Sequence, residues 1–422
     1  MAERALTDDG IARLRARIGV AQPHPQPPHY RFPNEDAFRH VAEAYGDDNP
    51  LWCDPDHATA SVWGGPIAPP HLNGGDTLVG HCEVGRPDDA TRELLRGDPI
   101  RGAHAFYAGS FREWWAPLRP GMDIGRRNAL VGVHDKQSEF ATRAVHEWTA
   151  EVFAARNPAL ALNAQYRLMI RTERDDAERT GKYDATEIRP YTDDEIERIA
   201  AACAAEAAAR RGTQPRYWED VHEGDELPPL VKGPLRVTDM VCWHVGVGMG
   251  LYGVKALRLG HAQRSRVPKF FRPDELNVPD VQQRVHWDQE WARRAGNPAI
   301  YDYGRMRETW LIHLCTDWMG DDAWLWKLDC EFRRFNYVGD THWMRGRVTR
   351  KFLADGERPA VELDVWGENQ RGETTTPGHA TVLLPSRDHG PVRLPDAPGD
   401  STSCAGLLDA LVVRFAAMEQ QS

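Results

Sequence analysis

The chain has 422 residues, 41% hydrophobic and 27% charged, with a formal net charge of −11 and a pI near 5.9. That length exceeds one average domain, and the acidic balance excludes nucleic acid as a partner, because phosphate backbones are met with excess Lys and Arg. No apolar run approaches the ~18 residues of a membrane span, and the start MAERALTDDGIARLRARIG lacks the apolar centre of a secretory signal, so the expectation is a cytoplasmic protein with no membrane contact.

Residues 1–30 read as a polar, Pro-rich leader. Asn34 then caps a helix through EDAFRHVAEAYG, with Phe38, Val41 and Tyr45 on one face and Gly46 as its stop. The turn GDDNPLWCD follows, Gly46 to Asp54, and GGPIAPP after it, Gly64 to Pro70. From Ile124 to Phe153 the chain is rich in β-branched and aromatic residues, as strands are. Helix first and sheet afterwards is an α+β order, and the first unit is placed at 31–165.

Residues 166–215 change character to an acidic and then Ala-rich stretch, read as a charged helical linker with Thr192 and Glu195 as a capping box and Gly212 as the stop. The second unit, 216–390, repeats the plan of the first. WCDPDHA (52–58) matches HWDQEWA (286–292), GGPIA answers GNPAI, and WWAPLRPGM (114–122) matches FRRFNYVGD (332–340). Agreement at several places indicates a duplicated unit. In RMRETWLIHLCTDWMG, Trp310, Leu311, Leu314 and Trp318 form an apolar stripe for burial against a curved sheet. In AVELDVWG, Val361, Leu363 and Val365 alternate with Glu362 and Asp364. The tail, 391–422, is a Pro/Gly stretch and a short helix.

Seven scattered cysteines without a CxxC pair indicate neither a disulfide framework nor a thiolate zinc site, and the histidines lack HxH or HExxH spacing. No metal is expected. GVGMGLYG has a loose glycine pattern without the leading strand that dinucleotide binding requires. Fifteen tryptophans suit a thick core or a pocket for an extended, partly apolar ligand.

GDxNPL followed by an acidic residue, then GGPIAPP, resembles the N-terminal half of MaoC-like dehydratases, which are double hot-dog proteins. RYWEDVHEGDELPPLVKGPLRVTDMV (216–241) and RVHWDQEWARRAGNPAIYDYG (284–304) resemble the C-terminal half, so the likeness spans about 30 to 390. It implies an α+β protein of two antiparallel sheets, each wrapped around a central helix. It also implies a hydratase or dehydratase of 2-enoyl or 3-hydroxyacyl thioesters, carried on coenzyme A or on an acyl carrier, with coenzyme A entering only as part of the substrate and no other cofactor. In the family, an aspartate and a histidine of a GDxNPxH turn activate water, and backbone N–H groups at the central helix start meet the thioester oxygen.

Carried over position by position, the first half has Asp47 and Asn49 but Trp52 where the histidine belongs, and His57 comes five residues too late. The second half has His286 in the histidine position but Val281 in place of the aspartate. His286 is therefore the expected base, with Asp280, or Asn277 or Glu275, reaching it through a rerouted loop, and Gly304 N–H is the expected oxyanion donor. Asp47, Asn49, Trp52, Asp302 and Tyr303 are expected to shape the substrate's path. Arg293-Arg294 and Arg333-Arg334 could supply positive charge for a phosphorylated carrier. A catalytically silent acyl-thioester-binding subunit and an acyl-CoA thioesterase are the alternatives. Homodimerisation fits a fold whose sheets continue across subunits.

Overall fold

The computed structural model describes residues 5–24, 27–72, 79–137, 143–173, 189–248 and 254–420. Twelve strands lie among them: β1 (His81–Cys82), β2 (His104–Trp114), β3 (Ile124–Lys136), β4 (Ala144–Arg156), β5 (Ala159–Thr172), β6 (Leu230–Lys232), β7 (Phe271–Pro273), β8 (Pro279–Val281), β9 (Trp324–Glu331), β10 (His342–Ala354), β11 (Arg358–Asn369) and β12 (Thr374–Leu383).

Ten of these strands make one sheet in the order β1-β3-β4-β5-β2-β9-β12-β11-β10-β6, and β7 and β8 form a separate hairpin. Read from the middle outwards, the two halves carry corresponding strands in the same order. The duplicated plan seen in the residues is thus repeated in the topology: two hot-dog units fused at the β2–β9 seam, where Gly109 pairs with Glu331 and Glu113 with Lys327. The matched heptapeptides also do the same work. Asp54 caps the helix Pro55–Ala60 and Asp288 caps Gln289–Arg294, each through its carboxylate to a first-turn N–H at 2.9 Å.

The central helix, Gly304–Met319, lies against the second half of the sheet and buries every residue from Arg305 to Met319. The sequence predicts one apolar stripe. The structure covers all faces, because the charged residues on the others are matched by partners. Arg112 of β2 holds Glu308 bidentately, Nε and Nη2 each 2.8 Å from a carboxylate oxygen, and Ser110 Oγ donates to the same group. This pair crosses between the halves with side chains 2% and 0% exposed. On the opposite side, Val361, Leu363 and Val365 of β11 are at most 1% exposed, as their alternation predicts.

In the first half, the place after GGPIAPP holds a 3₁₀ turn, Pro70–Leu72, and residues 73–78 lie outside the described set. Among the described residues this half has no counterpart of the sixteen-residue helix. The Asn34-capped helix Glu35–Glu43, whose Phe38 and Val41 are fully buried, packs against the helix Val237–Val247, the short helix Pro50–Cys53 and this 3₁₀ turn.

Three expectations are corrected. The leader is not wholly polar: Asp8–Arg15 is a helix whose Ile11 and Leu14 pack with Ile100, Leu130 and Val145. The connector does not begin at 166, since β5 runs to Thr172; QYRLMIRT keeps period two, and its register with β4 is unbroken from Asn163 onward. The linker helix proper is Asp193–Ala209, with the Thr192/Glu195 capping box in place. The tail helix is not short: Cys404–Glu419 lies across β3 and β4 on the outer face, burying Leu407, Leu411 and Phe415. Gly132 is required beneath it, because a Cβ there would sit 2.5 Å from Phe415 Cε1.

Candidate active site

His286 ends a 3₁₀ helix, Gln282–His286, that follows the β7–β8 hairpin. Arg284 fixes this turn. It is fully buried, donates to the carbonyls of Arg272 and Pro273 at 3.1 Å, and stacks 4.0 Å from the Trp291 ring centroid. The His286 ring sits against Tyr301 and Tyr303, centroids 4.8 and 4.1 Å away, and Nδ1 lies 2.9 Å from the Tyr301 carbonyl oxygen. With the proton assigned to that bond, Nδ1 donates and Nε2 is the accepting nitrogen. Burial pushes the imidazole pKa down to about 4, partly opposed by the Tyr301 carbonyl, so the ring is a neutral base at pH 7.

The central helix begins beside this ring. Tyr303, at its N-cap, gives no side-chain hydrogen bond to the first turn, and such a helix end leaves N–H groups and a positive dipole end for an incoming oxygen. Gly304 is held close to Phe332, whose Cδ2 would be 3.0 Å from an added Cβ. Asp302 turns behind the helix start, accepting from Asn336 Nδ2 at 3.0 Å and pairing with Arg307 Nε at 3.0 Å. Burial raises its carboxyl to about 6 against the pull of Arg307.

His286, Asp302, Tyr303, Gly304 and Arg305 line one open cleft of about 2870 Å³. Thirteen Lys and Arg against six Asp and Glu line this cleft, although the whole chain is strongly acidic. Arg294, Arg333 and Arg334, three of the four arginines singled out in the sequence, are among them.

The first repeat's turn lies elsewhere. Asp47 is 1% exposed, and its Oδ2 accepts from Trp52 Nε1 at 2.8 Å while Oδ1 accepts from Asn49 N at 2.9 Å. The residue five places on still bonds the aspartate, but an indole N–H only donates and cannot take a proton from water. Asn49 caps the short helix Pro50–Cys53. Trp52 lines a small pocket of about 30 Å³ among Trp63, Trp114 and Trp324, room for about one water and not for an acyl chain. The expectation that Asp47, Asn49 and Trp52 shape the substrate's path is corrected accordingly: none of them lines the cleft that holds His286.

Around Asp47 stands a buried charged cluster that the sequence did not suggest. His313 Nε2 faces Asp47 Oδ1 and Asp317 Oδ2 at 3.4 Å and Glu206 Oε1 at 3.5 Å, while Lys232 Nζ is 2.8 Å from Nδ1. Lys232 donating to Nδ1 leaves the ring proton on Nε2, aimed at the carboxylates. The donor set Asp47, His313 and Asp317 could hold a cation by spacing, but a protonated Nε2 is not a ligand, and ion pairing accounts for the arrangement. Burial, then Lys232, pushes the His313 pKa down to about 4. The cluster ties the first repeat's turn to the linker and central helices.

Asp280 is likewise not brought to His286. It sits in the β7–β8 hairpin opposite Arg272, and its Oδ1 accepts from the next residue's N–H at 2.7 Å. The rerouted loop exists, but hairpin pairing turns this carboxylate back on its own backbone. Glu275 pairs with Arg294 at 3.3 Å, and Asn277 takes a left-handed turn position, φ 60°. What orients His286 is a backbone carbonyl, which no residue pattern announces.

This architecture is a double hot-dog fold, similar to that of solved MaoC-like dehydratases. A solved MaoC-like dehydratase aligns with a TM-score of 0.58 at 16% identity, covering 88% of this chain and 99% of its own. A MaoC domain protein described as a dehydratase, from Chloroflexus aurantiacus J-10-fl, aligns with a TM-score of 0.51 at 13% identity, covering 88% and 96%. No protein-family profile and no curated protein matches the sequence. Among the described residues, no helix is long and apolar enough to cross a membrane.

Proposed function

We propose that the chain is a hydro-lyase that adds water to, or removes it from, an acyl thioester, with the second repeat doing the chemistry. The observation that carries this reading is His286: an imidazole lining an open cleft, its Nδ1 engaged by a backbone carbonyl, beside the start of a buried helix. In the hydration direction, Nε2 takes a proton from water as the oxygen bonds to the β-carbon. The electron pair moves onto the thioester oxygen, which the N–H groups at Gly304 stabilise. The imidazolium then returns the proton to the α-carbon as the enolate collapses, so one water is added across the double bond.

Arg294, Arg333 and Arg334, which line the cleft, support a phosphorylated carrier such as coenzyme A with its phosphates near them, and the reaction calls on no further cofactor. The test is the loss of the enoyl-thioester chromophore with coenzyme A esters of varied acyl shape. Turnover by the intact chain that persists in His286→Ala removes His286 from the role.

One observation favours a second reading, a silent thioester-binding subunit: Val281, 1% exposed, occupies the position of the family's aspartate. That reading predicts acyl-thioester binding without turnover until a partner chain is added.

A further inference from the structure

Residues 254–273 contain six Lys and Arg and no Asp or Glu, in a protein whose net charge is strongly negative. They form the helix Leu257–Arg266 and the stretch running into β7, and Arg266, Val267 and Arg272 line the cleft that holds His286. Three other exposed arginines of the cleft wall are neutralised within the chain: Arg294 by Glu290 at 3.3 Å, Arg333 by Glu331 at 2.7 Å and Arg334 by Glu373 at 3.0 Å. Arg266 and Arg272 are exposed and make no ion pair among the described residues.

The same segment displays large aliphatic side chains to solvent. Leu257 is 89% exposed, Leu259 54% and Val267 41%, and Leu276 and Val278 in the next turn are 82% and 51% exposed. Of thirteen large hydrophobics this exposed among the described residues, seven fall between Val241 and Val278, so the apolar surface is concentrated in this part of the chain. Leu257 is held at φ 48°, a backbone region that leucine rarely adopts.

The nature of the partner follows from these two features together. The phosphates of a free nucleotide carrier would satisfy the arginines. They would leave uncovered Leu257 and Leu259 on a ten-residue helix about 15 Å long, and Val267 just after it. An acidic protein surface with an apolar centre meets both demands.

We propose that the helix Leu257–Arg266 and the segment after it, to Pro273, dock an acidic carrier domain that presents its acyl thioester on a flexible arm to His286. This rests on the hydro-lyase reading for the chemistry, but not for the binding.

The experiment uses the full chain and its Arg266→Glu/Arg272→Glu double variant, with one acyl group presented on an acidic acyl carrier protein and on coenzyme A. At low ionic strength, kcat/KM for the carrier-protein thioester falls by about tenfold or more in the variant, while kcat/KM for the coenzyme A ester stays within about twofold. Equal losses on both substrates overturn the proposal in favour of a nucleotide phosphate site, and no loss on either overturns it outright. If the wild-type chain turns over neither substrate, the hydro-lyase reading fails by itself. The docking claim then stands if the wild-type chain binds the acylated carrier protein and the variant does not, and falls otherwise.

Discussion

Replacing Arg112 by Met should expose how much the bridge between the halves contributes. The guanidinium makes two 2.8 Å bonds to Glu308, and neither side chain is more than 2% exposed. Burial alone would raise the glutamate pKa, yet Arg112, with Arg305 and His71, overrides it and holds the carboxyl down at about 2. Arg112→Met leaves a carboxylate in the interior without its cation, at a cost of about 3–5 kcal/mol. Glu308→Leu combined with Arg112→Met removes both charges and should come within about 1 kcal/mol of the wild type, because the pair's attraction and its desolvation nearly cancel.

The assay is urea denaturation at pH 7 followed by tryptophan fluorescence, comparing both single variants and the double variant. The sign with pH is also fixed. A folded-state pKa below the ordinary glutamate value gives stability that is fully present above about 4.5 and lost as pH falls through about 2. The deficit of Arg112→Met should therefore shrink on acidification, as Glu308 takes up a proton. A single variant that costs less than about 1 kcal/mol, or a double variant as unstable as the sum of the singles, refutes the reasoning.

His286→Gln should lower kcat/KM by about 10²–10⁴ while the melting temperature barely moves. Because burial lowers the His286 pKa to about 4, wild-type kcat/KM should hold through pH 6 and decline only towards pH 4; an inflection near 6.5 contradicts the assignment. Trp52→Phe removes the 2.8 Å bond to Asp47 and should cost about 1.5–3 kcal/mol in urea denaturation with kcat unchanged. Gly132→Leu should push Phe415 off β3 at a cost of about 1–3 kcal/mol, read as faster protease cleavage within the tail helix.

Much of the scaffold was legible because it rests on local rules. Asn34, Thr192 and the Phe38/Val41/Tyr45 face announce helices through capping and period 3.6. Val361, Leu363 and Val365 announce a strand through period two. The duplication was visible in WCDPDHA and HWDQEWA because the aspartate in each must cap a helix. What was hidden depends on contacts distant along the chain. The carbonyl of Tyr301 that orients His286 belongs to no motif, and the His313 cluster assembles from four separate segments. Asp280 looked available because sequence distance cannot report that hairpin pairing turns its carboxylate onto the neighbouring N–H. The cleft's positive lining was obscured by a net charge that averages over surfaces facing different ways.

The continuous pairing of β2 with β9 joins, within one polypeptide, what two identical subunits would otherwise build together. Identical subunits must spell every pocket twice, and a change that suits one copy is imposed on the other. Here the first turn carries Trp52 where the second carries His286, and the basic stretch 254–273 stands in the second repeat alone. With both repeats in one chain, either pocket can differ from the other, and the two turns of this molecule do.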